Sequence, residues 1–343
     1  MSSRRHPLVE LTLVRVREFS REPEAIFWAL IFPILLSIGL GIAFRSGPAE
    51  AIAVGATSPA LAGALRGHPG LAVELMSVDA GRHALETGAI ALLVESSDGA
   101  AVVYRFDDTN PSGRTARLLA DDAIQRGAGR ADPVRGQDQL IREPGSRYID
   151  FLIPGLVGLG IMSDSLWGLG FPIVEARRRK LTKLLTATPM RREHYLASFV
   201  LWRMILLPVE VVVPIGFGVL AFGVPMRGGI VSIAVIAVLS GWAFAALGLS
   251  LAARPRTIEA IAGLVNIVQV PMWVLSGVFF SSQRFPAWLQ PFIHVLPLTA
   301  TIDALRANML QGVGLGALWP ALTNLSIWTV VCFVLALRLF RWR

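Results

Sequence analysis

The chain has 343 residues, of which 54% are hydrophobic and only 16% are charged, and its formal net charge is +8. Soluble domains usually carry charge on about a quarter of their residues, so this composition argues against a soluble enzyme and predicts a membrane protein. The positive excess lies beside apolar runs, so we attribute it to membrane topology and expect no nucleic-acid partner. Cys332 is the only cysteine, which excludes a disulfide framework and a cysteine-based zinc site within one chain.

The N-terminal residues 1–24 are charged throughout, and they predict a cytoplasmic interfacial helix. Apolar runs long enough to cross a membrane, about 20 residues each, then follow along the chain. They are residues 25–44, 151–174, 199–223, 229–252, 258–281 and 317–340. We therefore predict an α-helical polytopic membrane protein with six transmembrane helices, the second to the sixth lying within 150–343.

Residues 45–149, between the first two spans, alternate strand and helix patterns. The predicted strands are 51–57, 71–78, 89–96 and 100–106. Ser58 and Asn110, each followed by proline, predict helix starts, and Asp79 predicts a third. This pattern indicates a small extracytoplasmic α/β domain.

Arginine and lysine are concentrated in the N-terminal segment, in the loop at 175–196 and in the turn at 253–257. The loops on the other side of the predicted membrane contain few of these residues. Because cytoplasmic loops carry the excess of these residues, both termini are predicted to be cytoplasmic. The chain then belongs in the inner (plasma) membrane. Residues 282–316 contain Pro286, Pro291 and Pro297, which forbid one continuous span and predict re-entrant external helices before the sixth span.

The sequence contains no G-x-x-x-x-G-K-[ST] loop for ATP, no H-E-x-x-H and no G-x-S-x-G motif. We expect a non-catalytic chain that holds no metal and no cofactor of its own.

The second loop, residues 175–196, is basic and amphipathic. Leu181, Leu184 and Leu185 fall at helical spacing and share one face, and basic residues surround them. Two interpretations fit equally: a short helix that docks on a cytoplasmic partner, or a basic loop that binds anionic membrane lipids.

Two acidic residues lie inside predicted spans, Asp164 in the second and Glu210 in the third. Such groups usually face a bundle interior or water. They could form a cation or proton site on a translocation path, but we favour ordinary polar contacts between helices, with Asn266 and Gln269 of the fifth span as partners.

Several segments resemble a known family. These are Arg21-Glu22-Pro23 before FWALIFPILL, Ile153-Pro154-Gly155, the stretch EARRRKLTKLLTATPMRREHYLAS, the segment YRFDDTNP, and LSGVFFSSQRFPAWLQPFIHVLPLTATIDALR. Together they are similar to the membrane subunit of type-2 ABC exporters, the class that includes drug and polyketide efflux systems. One departure is Lys180-Leu181-Thr182, where the family often has Gly-Thr-Leu.

The resemblance implies a permease dimer, expected to be a homodimer, that works with separately encoded ABC ATPase subunits which bind the ATP. It also implies that residues 175–196 form the coupling helix that contacts the ATPase. The residues expected to couple are Glu175, Arg177, Arg178, Leu184, Leu185, Arg191 and Arg192. Two rival hypotheses remain: an ion- or proton-coupled carrier using Asp164 and Glu210, and a membrane scaffold or sensor whose external domain binds a ligand.

Overall fold

The computed structural model describes residues 6–43, 51–96, 101–130, 147–180 and 192–339. The chain divides into two compact units, Ser46–Ile141 and the combination of Met1–Arg45 with Arg142–Arg343. The smaller unit corresponds to the insert predicted between the first two spans.

The elements follow one another in chain order. They are α1 (Pro7–Arg21), α2 (Pro23–Ile26), a π-helical turn (Phe27–Ile31), α3 (Phe32–Ala43), β1 (Ile52–Ala56), α4 (Pro59–Arg66), β2 (Leu71–Leu75), α5 (Val78–Glu86), β3 (Leu92–Ser96), β4 (Val102–Arg105), α6 (Pro111–Gly127), α7 (Tyr148–Arg178), α8 (Arg192–Phe222), α9 (Ile230–Ala252), α10 (Ile258–Leu275), α11 (Gln290–Val295), α12 (Pro297–Gln311) and α13 (Trp319–Leu339).

The insert is built on a sheet with strand order β2-β1-β3-β4. Strand β1 pairs in parallel with β2 and β3, and β4 runs antiparallel to β3. Val54, Leu92 and Val94 are fully buried, and helices α4 and α6 cover them with Leu65 and Ala116. The predicted small α/β domain is therefore present.

Two of the predicted helix caps in the insert are confirmed and one is wrong. Ser58 Oγ accepts a hydrogen bond from the Leu61 amide at 3.3 Å, and Asn110 caps α6 in the same way. The third helix is capped by Ser77, whose Oγ accepts from the Ala80 amide at 3.3 Å, and not by Asp79. Asp79 lies in the first turn instead, where its charge favours the helix dipole.

A half-buried tyrosine, Tyr104, joins β4 to α6. The Tyr104 hydroxyl donates a hydrogen bond to Asp121 Oδ1 at 3.0 Å. Burial, followed by the hydrogen bond to Asp121 and the negative charge of Asp121, raises the pKa of Tyr104 from 10.0 to about 12.

The larger unit contains the membrane helices. Among the described residues, six helices are long and apolar enough to cross a membrane, at Pro23–Ala43, Tyr148–Arg178, Ala197–Phe222, Ile230–Ala252, Ile258–Leu275 and Leu315–Leu339. The predicted number of spans and the polytopic helical class are confirmed. Two short helices, α11 and α12, occupy the proline-rich segment predicted to be re-entrant.

Two span boundaries differ from the prediction. The fifth span ends at Leu275 and not at residue 281, because Gly277 adopts a left-handed φ of 78° that turns the chain. The first residues of the predicted coupling helix, 175–178, belong to the same continuous helix as the second span. Helix α7 continues through Arg178, Lys180 turns with a φ of 59°, and α8 begins at Arg192.

Helix α7 is the centre of the bundle. In the most apolar 18-residue stretch of α7, 78% of the residues are buried, whereas the corresponding value is 17% in the first span and in the last span. It packs against α3, α8, α9, α10 and α12. Glycines allow this close packing, since a Cβ on Gly158 would lie 2.7 Å from Ile302 Cγ1 of α12.

Candidate functional site

A charged cluster lies between α7 and α8. Arg203 and Glu210 of α8 form an ion pair, and their side chains are only 3% and 1% exposed. Arg203 Nε also donates to Ser165 Oγ at 2.8 Å, and its Nη2 donates to the Ile161 carbonyl at 3.2 Å, both on α7. The guanidinium thus joins two neighbouring spans by charge-assisted hydrogen bonds.

Asp164 completes this cluster. Its carboxyl group lies close enough to interact electrostatically with both Glu210 and Arg203. No donor among the described residues reaches Asp164 Oδ2 or Glu210 Oε2. Two carboxyl groups therefore share one guanidinium, and the cluster keeps an unbalanced negative charge unless a proton or another cation joins it.

The structure brings together the two acids predicted from the sequence, but it pairs them with an arginine that we did not predict. The sequence did contain a signal for this ion pair. Arg203 is a charged residue inside a predicted span, and it precedes Glu210 by seven positions. Seven residues are about two helical turns, so both side chains leave α8 on the same face. Their Cα atoms are about 10 Å apart along the axis, and only two long side chains can close that gap.

The two polar residues predicted on the fifth span behave differently. Gln269 of α10 is 3% exposed, accepts a hydrogen bond from Trp167 Nε1 at 2.8 Å and donates to Ser163 Oγ at 3.2 Å. It therefore binds α7 beside Asp164 rather than Asp164 itself. Asn266 is exposed on α10.

Three of the predicted coupling residues lie in the last turns of α7. Glu175 pairs with Arg178 at 2.8 Å and with Arg179 at 2.5 Å. Arg177 instead points back into the bundle. Its Nη1 donates to the carbonyl of Ala252, the last residue of α9, at 3.1 Å and to the carbonyl of Pro255, in the turn before α10, at 2.6 Å.

The remaining coupling predictions fall where the structure gives no side-chain description. Leu184, Leu185 and Arg191 lie outside the described residues, and the side chain of Arg192, the first residue of α8, is not described either. Their predicted contact with an ATPase stays a prediction.

The N-terminal helix α1 packs along the first turns of α8. Arg15 Nε donates to Ser198 Oγ at 3.2 Å, and the Arg15 guanidinium lies 3.1 Å from the centre of the Phe199 ring. Further along, the rings of Phe19 and Trp202 are 5.3 Å apart. The predicted N-terminal helix is thus fixed to the third span.

Arg306 of α12 fastens the proline-rich segment before the sixth span to the bundle. Its guanidinium donates to the Phe151 carbonyl at 3.0 Å and to the Gly277 carbonyl at 2.6 Å, and lies 3.4 Å from the centre of the Phe151 ring. One side chain therefore joins α12 to the start of the second span and to the turn after the fifth.

The charged cluster opens onto a cavity of about 380 Å³. Helix α1, the first span, α7 and α8 surround it, and Asp164 and Arg203 reach its wall. Among the described residues, no group of three or more histidine, cysteine, aspartate and glutamate side chains is placed to hold a metal ion.

Comparison with known proteins gives consistent results. Residues 23–338 match the family described as "ABC-2 family transporter protein". The chain is 28% identical over 195 residues to ABC transporter G family member 20 of Dictyostelium discoideum, which covers 56% of this chain and 27% of that protein. It is 33% identical over 105 residues to Nodulation protein J of Neorhizobium galegae, covering 31% of this chain and 40% of that protein.

A third relative is Inner membrane transport permease YadH of Escherichia coli, 23% identical over 202 residues, covering 58% of this chain and 75% of the relative. The matches to the first two relatives thus span less than half of those proteins' own lengths.

Proposed function

The chain belongs to the ABC-2 family of transporter proteins, and from this premise we propose that it is the permease subunit of an ATP-driven ABC exporter. It forms the translocation path, and hydrolysis takes place on separate ABC ATPase chains that bind the ATP. The sequence supports this division of labour, because it contains no nucleotide-binding loop of the G-x-x-x-x-G-K-[ST] type.

The observation that carries the proposal is the position of Arg177. This residue lies where α7 enters the basic segment 175–196, and its guanidinium binds carbonyls at the end of α9 and in the turn before α10. A displacement of the basic segment would therefore be transmitted to the fourth and fifth spans. An ATPase that pushed on this segment could rearrange the helices without touching them.

We assign the ATPase contact to the basic segment. The residues assigned to the contact are Glu175, Arg178, Leu184, Leu185, Arg191 and Arg192, and Arg177 transmits their displacement to the chain between α9 and α10. The leucines supply apolar anchors and the basic groups steer the approach. Glu175 holds Arg178 and Arg179 on the surface of the last turn, so these cations remain available to a partner or to lipid headgroups.

The working unit that we propose contains two copies of this chain, as a homodimer, with two ATPase chains, in the inner (plasma) membrane among its lipids. Both termini and the basic segment face the cytoplasm, and the insert faces outward. The name of the relative from Escherichia coli, an inner membrane transport permease, supports the membrane that we assign.

The coupling assignment is tested by replacing Leu184 and Leu185 with aspartate. The pair of substitutions should abolish permease-stimulated ATP hydrolysis and transport while the chain still inserts in the membrane. Thr182→Asp combined with Thr186→Asp adds the same two negative charges in the same segment and serves as the matched control, which should keep both activities.

Unchanged ATP hydrolysis and transport in the leucine variant would contradict the assignment. Transport that continues without ATP and stops when the proton gradient collapses would instead support the carrier hypothesis based on Asp164 and Glu210. A complex whose ATPase is never stimulated would support the scaffold or sensor hypothesis.

A further inference from the structure

The cavity beside the charged cluster combines an apolar body with an acidic group. Its volume of about 380 Å³ falls within the range of about 300–1,000 Å³ that is typical of small-molecule sites. Residues of α1, α7, α8 and the start of the first span line it. It lies within the larger unit and uses no residue of the insert.

Two pairs of aromatic rings line this cavity. Phe19 of α1 packs against Trp202 of α8, with ring centres 5.3 Å apart. Trp167 and Phe171 of α7 form the second pair, with ring centres 5.0 Å apart. Trp28 stands at the rim and is 61% exposed. Aromatic faces attract cations, and most strongly those of tryptophan.

The cations in the cavity wall are already engaged. Arg15 binds Ser198 and covers the Phe199 ring, and Arg203 is bound to Glu210, Ser165 and a carbonyl of α7. An anion in the cavity would need a guanidinium group whose charge is not already paired. Both guanidinium groups have partners within the protein.

The carboxyl groups of the wall have fewer partners. Asp164 Oδ2 is buried and meets no donor within the described part of the chain. Glu18 and Glu22 of α1 line the outer part of the cavity and are exposed. The side chains left to receive a charged ligand are therefore acidic, at the inner end as well as at the entrance.

We propose that this cavity is a binding site for a monovalent organic cation with an apolar, aromatic-rich body. The cationic centre would lie against Asp164 and balance the second carboxyl group of the cluster. The apolar body would pack against the pair Trp202 and Phe19 and the pair Trp167 and Phe171. An inorganic cation would leave these aromatic walls unused, and an anion would meet Asp164.

Binding of an organic cation in this cavity does not depend on the proposed permease function. The statement that the bound cation is the transported substrate does rest on that function. Given the topology proposed above, α1 and the last turns of α7 lie on the cytoplasmic side. The cavity would then accept its ligand from the inner leaflet, where Glu18 and Glu22 would draw organic cations toward the entrance.

The test uses a pair of probes that differ in the sign of their charge. Tetraphenylphosphonium is a cation covered by phenyl rings, and tetraphenylborate is an anion of nearly the same shape. Binding of each is measured by equilibrium dialysis on the purified full chain in nanodiscs, with empty nanodiscs as the reference. We expect saturable binding of the cation and only partition of the anion into the lipid.

Asp164→Asn removes the charge and keeps the size of the side chain. It should weaken binding of tetraphenylphosphonium by roughly tenfold or more, because the charge attraction acts in a partly desolvated site. Glu259→Gln, which removes a carboxylate from the first turn of α10 outside the cavity, is the control and should leave binding unchanged. Trp202→Leu should also weaken binding, whereas Trp242→Leu, on an exposed face of α9, should not.

The outcomes separate this inference from the proposed function, because the binding assay needs neither ATP nor an ATPase. Equal binding of the two probes, or equal binding to wild type and Asp164→Asn, would overturn the proposal. So would a phospholipid that fills the cavity in both proteins and is not displaced by tetraphenylphosphonium. If binding follows the expected pattern but ATP-driven transport is absent, the binding-site proposal is supported and the exporter proposal is contradicted.

Discussion

Replacing Arg203 with methionine should destabilise the bundle strongly. Arg203 is 3% exposed, and its guanidinium is the cation bound to Glu210 inside the spans. Methionine keeps most of the side-chain volume but leaves Glu210 and Asp164 facing each other without a cation. The loss of the other two bonds matters less, because Ser165 Oγ still donates to the Ile161 carbonyl at 2.6 Å.

The expected cost can be worked from this geometry. Removing one partner of a buried ion pair costs about 3–5 kcal/mol, because an uncompensated charge remains in a low-dielectric interior. With a shift of about 2–4 °C per kcal/mol, the midpoint of thermal unfolding should fall by roughly 6 to 20 °C. The assay is the temperature at which half of the purified protein ceases to be monodisperse in size-exclusion chromatography.

A double variant and a surface control make the reasoning testable. Arg203→Met combined with Glu210→Leu also removes the carboxylate that Arg203 pairs with, so its cost should be about 0.5–3 kcal/mol less than the sum of the single variants. Arg178→Met removes an arginine whose side chain is 59% exposed and paired with Glu175, and should cost less than about 1 kcal/mol. Equal shifts for Arg203→Met and Arg178→Met, or strict additivity in the double variant, would refute the reasoning.

Three further predictions concern other contacts. Arg306→Leu should lower the thermal midpoint more than Arg306→Lys does, because lysine keeps a donor for the two carbonyls that fasten α12; equal shifts would contradict this role. Gly155→Ala should lower the midpoint, since its Cβ would lie 2.6 Å from a backbone carbonyl oxygen, whereas Gly160→Ala, with nothing within 4 Å, should not. The raised pKa of Tyr104 means that its stabilising contribution is complete below pH 10.0 and is lost as pH rises toward about 12, so Tyr104→Phe should show a smaller loss of thermal midpoint over that interval than wild type.

The sequence was informative wherever length and local chemistry decide the structure. Each span had to supply an apolar run of sufficient length, and Ser58 and Asn110 carry the side chains that cap helices. The end of the fifth span was missed because hydropathy continues past Leu275, while the backbone turns at Gly277. Hydropathy reports how apolar a segment is, not where its backbone conformation changes.

The candidate site was predictable only in part, for a similar reason. An acid inside a span implies a partner, but partners were sought among polar residues of other helices. Arg203 lies on the same helix as Glu210, two turns away, and the contact depends on two extended side chains. Arg177 shows a second limit of prediction from sequence. Its basic character predicts a contact with solvent or with a partner, whereas its guanidinium binds a backbone carbonyl at the end of α9.

The single cysteine offers direct access to questions about membrane sidedness. Cys332 is 2% exposed within α13, and a buried thiol reacts slowly with maleimides. A reporter cysteine placed at an exposed residue such as Ser20 of α1 or Thr109 of the insert would therefore be labelled against a silent background. Impermeant and permeant reagents applied to whole cells could then read out on which side of the bilayer each unit of the chain resides.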